Sequence, residues 1–255
     1  MSGFLDSISF FTTFPSGRNN GPEKGIIYFF TLTGVVASIL PAIIFFFASR
    51  ILGSIAASAI SLSALLIISG FNHLDGVLDT GDSLMAQVDS ARRREIIKDR
   101  FTGAGGIGTV LVIYLTYFGI LSSLTPLEGF FAILMSELLA KLVMLLAIGI
   151  FPVFGDGLAS MFRGFYEEAK VNPVFVNIIP VVVISIFSGS AGIISIIPSL
   201  VFGLSLARWM RGKFDGINGD IAAMSGEATR VVGVFIFALT AVLLPHLWTF
   251  PVKVL

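Results

Sequence analysis

Seven stretches of this chain are apolar enough, and nearly all long enough, to fill the hydrocarbon core of a bilayer: residues 26–49, 52–70, 106–124, 129–150, 173–189, 191–207 and 230–248. Crossing a core of about 30 Å takes roughly 20 helical residues. In lipid each spanning segment must satisfy its own backbone N–H and C=O groups, which makes such stretches helices. The expected fold is all-α: a polytopic integral membrane protein of about seven transmembrane helices, one membrane-embedded domain over residues 1–255. The fifth and sixth stretches are short and carry Pro180 and Pro198, so they read as a kinked pair or a re-entrant hairpin. A water-soluble helical protein is the alternative, and composition opposes it. Only 13% of the residues are charged and 55% are hydrophobic, against about 25% charged in soluble domains.

The few charges set an orientation. With the N-terminus in the cytoplasm, the inner segments hold every Lys and Arg except Arg50, Lys141 and Lys253, a bias that orients multi-pass proteins. The same segments hold every Asp and Glu except Glu128 and Glu137, which the positive-inside rule does not require. Polar chemistry is thus expected on one cytoplasmic face of the cell membrane, as in an enzyme working at that surface. A transporter would more often carry ionisable groups along a path through the bilayer. The 16 basic and 16 acidic residues balance, so no basic field invites nucleic acid. The absence of cysteine excludes disulfides, thiolate catalysis and Cys-ligated metals. His73 and His246 are too far apart to form a local metal motif. No basic residue precedes Arg18, so Ile8–Phe14 lacks the flank of a signal peptide.

Directly after the second stretch comes Asn72-His73-Leu74-Asp75-Gly76-Val77-Leu78-Asp79-Thr80-Gly81-Asp82. If helix continues there, Asn72, Asp75, Asp79 and Asp82 share one stripe. Clustered carboxylates repel unless a positive group lies between them, and hard oxygen donors suit Mg²⁺ or Mn²⁺. Gly76 and Gly81 are expected to let a substrate approach the backbone. His73, off the stripe, reads either as an orienting residue or as a proton acceptor. Residues 83–100 call for a surface helix, with Arg92, Arg93 and Arg94 as a headgroup anchor. Lys98, Asp99 and Arg100 precede Gly103-Ala104-Gly105-Gly106 and a helix start, which supplies cations and backbone N–H groups for phosphate. Glu137 and Lys141, four residues apart inside a span, read as a structural ion pair. A last polar segment carries Lys213, Asn218 and Asp220, with Glu227 seven residues further on the same helical face.

These residues resemble the cobalamin synthase family, the adenosylcobinamide-GDP ribazoletransferases of late vitamin B12 assembly. The likeness rests on Asn72–Asp82, on Lys98-Asp99 with Gly103, Ala104 and Gly106, and on Asn218-Gly219-Asp220 with Glu227. Weaker similarity covers Phe10–Pro15 and Phe151–Phe162. Three positions depart from the family's habit: Asn72, where a leucine is frequent, Lys141, where arginine is common, and Asn218, where threonine is usual. The resemblance implies transfer of adenosylcobinamide phosphate from its GMP leaving group to the 5′ oxygen of α-ribazole or its 5′-phosphate. Mg²⁺ is the implied cofactor, with Mn²⁺ as a substitute, and the bilayer and further copies of the chain are the implied partners. On that basis His73, Asp75, Asp79, Asp82 and Asp99 are catalytic candidates. Lys98, Arg100, Gly103, Lys213 and Asn218 are phosphate-binding candidates, and Asp75, Asp79, Asp82, Asp220 and Glu227 are metal ligands. Two other classes compete. A CDP-alcohol phosphotransferase lacks support because Asp82 is followed by Ser83 rather than by that family's pattern. A divalent-cation transporter should place several carboxylates near the midplane, where only Glu137 is expected.

Overall fold

A computed structural model describes residues 2–15, 21–99 and 101–244, so Arg18, Arg100, His246 and Lys253 lie outside the described residues. Eleven α-helices are found among them: α1 (Ser2–Phe11), α2 (Phe30–Leu52), α3 (Ser54–Ile68), α4 (Asn72–Met85), α5 (Ser90–Ile96), α6 (Ala104–Leu121), α7 (Pro126–Ile150), α8 (Leu158–Glu167), α9 (Pro173–Phe187), α10 (Gly189–Phe214) and α11 (Gly219–Leu243). Each apolar stretch falls on one of them. Five helices, α2, α6, α7, α10 and α11, are long and apolar enough to cross a membrane alone, and α3 with α4 makes a sixth if that bent pair is one span. The 15-residue α9 is shorter. The fifth and sixth stretches form two separate helices that pack together, each with its proline inside. The last helix begins at Gly219, well before residue 230, which carries Glu227 and Arg230 into the bundle.

Helix α7 is the axis. It is apolar on all sides and almost wholly buried, as a helix surrounded by others must be, and it packs against α2, α9, α10 and α11. Small residues set the approach. A Cβ on Gly233 of α11 would stand 3.2 Å from Ser136, and one on Gly226 would stand 2.7 Å from Met144, so α11 lies tightly on α7. The outer surface carries Phe47, Ile51, Ile55, Val112, Phe175, Ile197 and Val242, all exposed, an apolar covering suited to lipid and not to water.

The two ends of the bundle differ. At one end the links are minimal: Gly53, residues 122–125 and Ser188. There Glu128 closes a capping box with Thr125 at the start of α7, and this accounts for its charge. The polar segments meet one another at the opposite end. Ser90 donates to Asp215, Lys24 pairs with Glu168, and Phe154 N–H donates to the Ile217 carbonyl at 2.9 Å. The expected surface helix is the short α5, capped by Asp89. Its arginines are not a free anchor. Arg93 donates to the Ser83 and Leu84 carbonyls at 2.6 and 3.1 Å, covering the exposed carbonyls at the end of α4. Arg94 lies 3.7 Å from Asp215. Arg92 pairs with Glu95 at the surface.

The gathering of polar segments at one end makes a labelling experiment decisive. In this cysteine-free chain, Asp89→Cys, Glu167→Cys and Lys213→Cys should each be modified from the same side of the membrane, and Thr125→Cys only from the other. Modification of the first three from different sides would contradict the arrangement.

Candidate active site

The site begins at an elbow. Helices α3 and α4 meet at 93°, turned by Gly70 (φ 63°) and Phe71 (φ 57°). A left-handed phenylalanine is costly, and such strain persists only where the surroundings enforce it. Here the end of α1 pins the bend: Thr13 N–H donates to the Ile68 carbonyl at 2.7 Å, and Asn72 Nδ2 to the Phe10 carbonyl at 3.4 Å. Beyond the elbow α4 runs unbroken from Asn72 to Met85, so Asn72, Asp75, Asp79 and Asp82 do share a stripe. The first turn of α11 packs on it. A Cβ on Gly76 would lie 2.9 Å from the Ala223 Cβ and 3.0 Å from the Asp220 Cα, and one on Gly81 would lie 2.6 Å from Thr109 of α6. Both glycines therefore serve helix contact, not substrate approach as the sequence suggested. Asn218 caps α11 through Ile221 N–H at 3.0 Å and donates Nδ2 to Asp220 at 2.7 Å, which fixes that carboxylate.

Asp79 reports the resulting field. Partial burial, then the carboxylates of Asp75, Asp220 and Asp82, push its pKa up to about 6. The three charges behind the shift are all negative. Such an excess of hard oxygen donors is chemically suited to a divalent cation. Among the described residues, however, no three ligating side chains stand together as a finished cage.

Asp82 has a second commitment. Its oxygens accept Gly103 N–H at 2.6 Å and Gly106 N–H at 2.8 Å, a carboxylate at the positive end of α6. The glycine-turn N–H groups that the sequence offered to phosphate are engaged by Asp82 instead. Lys98 and Asp99 are exposed in the link before α6, next to Arg100, which is outside the described residues. Lys213 is exposed over the Trp209 ring, 5.8 Å from its centroid.

Beneath the stripe lies a buried ionic network. His73 Nδ1 is 3.1 Å from Glu227 Oε1, and His73 Nε2 is 3.1 Å from Lys141 Nζ. Lys141 is 3.8 Å from Glu137, and Arg230 bonds Glu137 through Nε at 2.8 Å and also pairs with Glu227. The Tyr114 hydroxyl donates to Glu227 Oε2 at 3.1 Å. The expected Glu137–Lys141 pair is thus present, as part of a larger set. An ammonium can only donate, so Nε2 of His73 accepts and Nδ1–H donates to Glu227. With both ring nitrogens engaged, His73 is an orienting group in this arrangement rather than a free proton acceptor. Glu227 is likewise turned away from Asp220: both its oxygens belong to His73, Tyr114 and Arg230. Arg230, assigned by sequence to an inner segment, is 3% exposed within the bundle.

Above the network opens a cavity of about 390 Å³. Asn72, His73, Asp75 and Asp220 form its polar wall, and Phe10, Phe11, Phe30 and Phe162 line it elsewhere. The structure thus brings Asn72, His73, Asp75 and Asp220 to one space; Lys98, Lys213 and Asp99 do not line it. The phenylalanines were missed as site residues, although Phe10, Phe11 and Phe162 lie in the two stretches of weaker similarity.

A family model described as cobalamin-5-phosphate synthase matches residues 3–238. Among similar curated proteins, one from Picrophilus torridus, named adenosylcobinamide-GDP ribazoletransferase, is 31% identical over 94% of this chain and 98% of its own length. Proteins of the same name from Thermoplasma acidophilum and Thermoplasma volcanium are 30% and 31% identical, each over 94% of this chain and over 93% and 92% of their own lengths. No solved structure matches.

Two outcomes test this electrostatic picture. A carboxylate whose folded pKa is raised to about 6, above an unfolded value near 3.9, destabilises the fold increasingly as pH rises from about 4 to 6, and by a constant amount above that. Asp79→Asn should therefore raise the melting temperature of chelator-treated protein in detergent at pH 7, and much less at pH 4. Arg230→Met removes the cation that two buried carboxylates share and should cost about 3–5 kcal/mol, measured as reversible unfolding in mixed micelles.

Proposed function

The chain belongs to the cobalamin-5-phosphate synthase family, and from that premise we propose that it is an adenosylcobinamide-GDP ribazoletransferase in the final steps of cobalamin assembly. It transfers adenosylcobinamide phosphate to α-ribazole, or to its 5′-phosphate, and releases GMP. The observation that carries this reading is the carboxylate stripe of α4 facing the first turn of α11 beside a cavity that Asp75 and Asp220 line. The 5′ oxygen expected from the sequence is already esterified in the 5′-phosphate, so the attacking group common to both acceptors is a secondary ribose hydroxyl, whose oxygen forms a bond to the phosphorus attached to adenosylcobinamide. The bond from that phosphorus to the GMP oxygen breaks, and GMP leaves with the electron pair. The hydroxyl proton passes to one of the cavity-facing carboxylates, Asp75 or Asp220.

Such transfer depends on positioning and charge neutralisation. No three of these side chains stand together as a finished cage, so Asp75, Asp79 and Asp220, with the remaining lone pairs of Asp82, would draw together to hold Mg²⁺ or Mn²⁺, which would supply positive charge for the phosphate oxygens and the leaving group. Glu227 is left out of this set because its oxygens are committed elsewhere. Lys98 and Lys213, exposed at the same end of the bundle, are the candidates for meeting the phosphates from outside the cavity. The excess of Lys and Arg at that end supports a cytoplasmic orientation in the cell membrane, with α3 and α9 completing seven spans.

The direct test is GMP release by purified protein given adenosylcobinamide-GDP, α-ribazole and Mg²⁺; no release would refute the reading. Asp75→Asn should keep the helical fold and lose at least about a hundredfold in kcat. Lys98→Ala, which removes a charge-assisted phosphate contact, should lower kcat/KM for the nucleotide-linked substrate by about one to two decades while the Mg²⁺ dependence stays unchanged.

A further inference from the structure

Four phenylalanines at the cavity form a closed ring of tilted contacts. Phe10 and Phe11 lie 4.8 Å apart between ring centroids at 90°, and Phe11 and Phe30 lie 4.7 Å apart at 70°. Phe30 and Phe162 lie 5.6 Å apart at 79°, and Phe162 and Phe10 close the ring at 5.3 Å and 85°. Edge-to-face packing of this kind fixes each ring against its neighbours, so the aromatic wall is formed before any ligand arrives. The four residues come from α1, α2 and α8 and were not drawn together by any part of the reaction derived above. Asp75 and Asp220 line the same cavity, and among the described residues no lysine or arginine lines it.

We infer that this cavity binds the acceptor nucleoside, its flat aromatic base against the ring of Phe10, Phe11, Phe30 and Phe162 and its sugar hydroxyl end toward Asp75 and Asp220. The inference rests on the ribazoletransferase reading and adds to it which substrate enters, and which way round. Three comparisons select the occupant. The guanine base of the donor carries amide and amine groups that need hydrogen-bond partners when buried, and the four phenylalanines offer none. A corrinoid macrocycle is too large for a space of about 390 Å³. A benzimidazole ribonucleoside has about twenty heavy atoms, one apolar aromatic face and one hydroxyl-bearing end, which suits a small, mostly apolar pocket with a few convergent polar groups. In this orientation a ribose hydroxyl lies beside the carboxylates that would take its proton, and the donor phosphates approach from the polar end of the bundle.

The test separates this inference from the reading beneath it. In purified protein, Phe10→Ala and Phe162→Leu should each raise the KM for α-ribazole about tenfold, leave the KM for adenosylcobinamide-GDP within about twofold, and keep most of kcat. Phe162→Tyr, which retains the ring, should restore the KM for α-ribazole. A shift confined to the KM of adenosylcobinamide-GDP, or no shift in either, would overturn the inference while wild-type GMP release still upheld the reading. If a variant does not fold, an azido-benzimidazole riboside photolabel on the wild-type protein decides instead. Labelling within residues 9–11 or 158–162 is expected, and labelling confined to other segments would overturn the assignment.

Discussion

The buried ion network of Glu137, Lys141, Glu227 and Arg230 around His73 is the contact on which the rest of this arrangement depends. A single charge near the centre of a bilayer costs about 2.5–3.5 kcal/mol on insertion scales, and more where water is excluded. Here two cations and two anions cancel, and their remaining hydrogen-bonding capacity goes to one imidazole and one phenol. The set draws on α4, α6, α7 and α11, so these four helices share one depth and one register. Moving α4 outward by a turn would withdraw His73 and leave the Lys141 and Glu227 bonds unmade in an apolar interior, a penalty well above that of a surface pair. The network thereby fixes where the elbow lies, and the elbow fixes where the carboxylate stripe points.

Above that anchor the polar groups divide into those that hold backbone and those left for chemistry. Asp82 satisfies the first N–H groups of α6, Asn218 those of α11, and Arg93 the last carbonyls of α4. Each joins a helix end to a neighbouring segment, so the helices around the site are held by termini rather than by side-chain interlock alone. What remains is Asp75, Asp79 and Asp220, where partial burial and then the neighbouring carboxylates raise Asp79 to about 6. Carboxylates arranged against their own repulsion are a strain that the network and the caps hold in place, and strain of this kind belongs to functional sites.

Much of this was legible in the sequence, and the reasons for the failures are specific. The apolar helices follow from segment length, and the α4 stripe follows from helical periodicity; both are local signals. The depth of Glu227 and Arg230 was not legible, because burying them requires Glu137 and Lys141, some ninety residues earlier, and no local pattern announces that pairing. A glutamate seven residues after Asp220 looks like a second ligand until its oxygens are seen to belong elsewhere. Arg92, Arg93 and Arg94 read as three equivalent surface charges, yet two of them fold back onto α4 and the α10–α11 turn. Gly76 and Gly81 looked like openings for substrate because the sequence could not show α11 and α6 lying against them. The aromatic ring assembles from positions about 150 residues apart, with no period to find.

The presence of four ionised residues within the bundle revives the alternative of a conduit, since the sequence placed only Glu137 and Lys141 there. Their geometry argues against it. A conducting path needs groups that are hydrated or can exchange partners along the membrane normal, whereas these are 1–3% exposed and bonded to one another. On the side of the network away from the polar end, the core continues as Phe45, Leu121, Leu134, Leu138, Val234 and Phe237, closely packed and without charge. The cavity is lined by Asp75 and Asp220 of the polar end. The network therefore serves as a floor: it bears the elbow on one side, adjoins a dry apolar core on the other, and confines the chemistry to one face of the membrane.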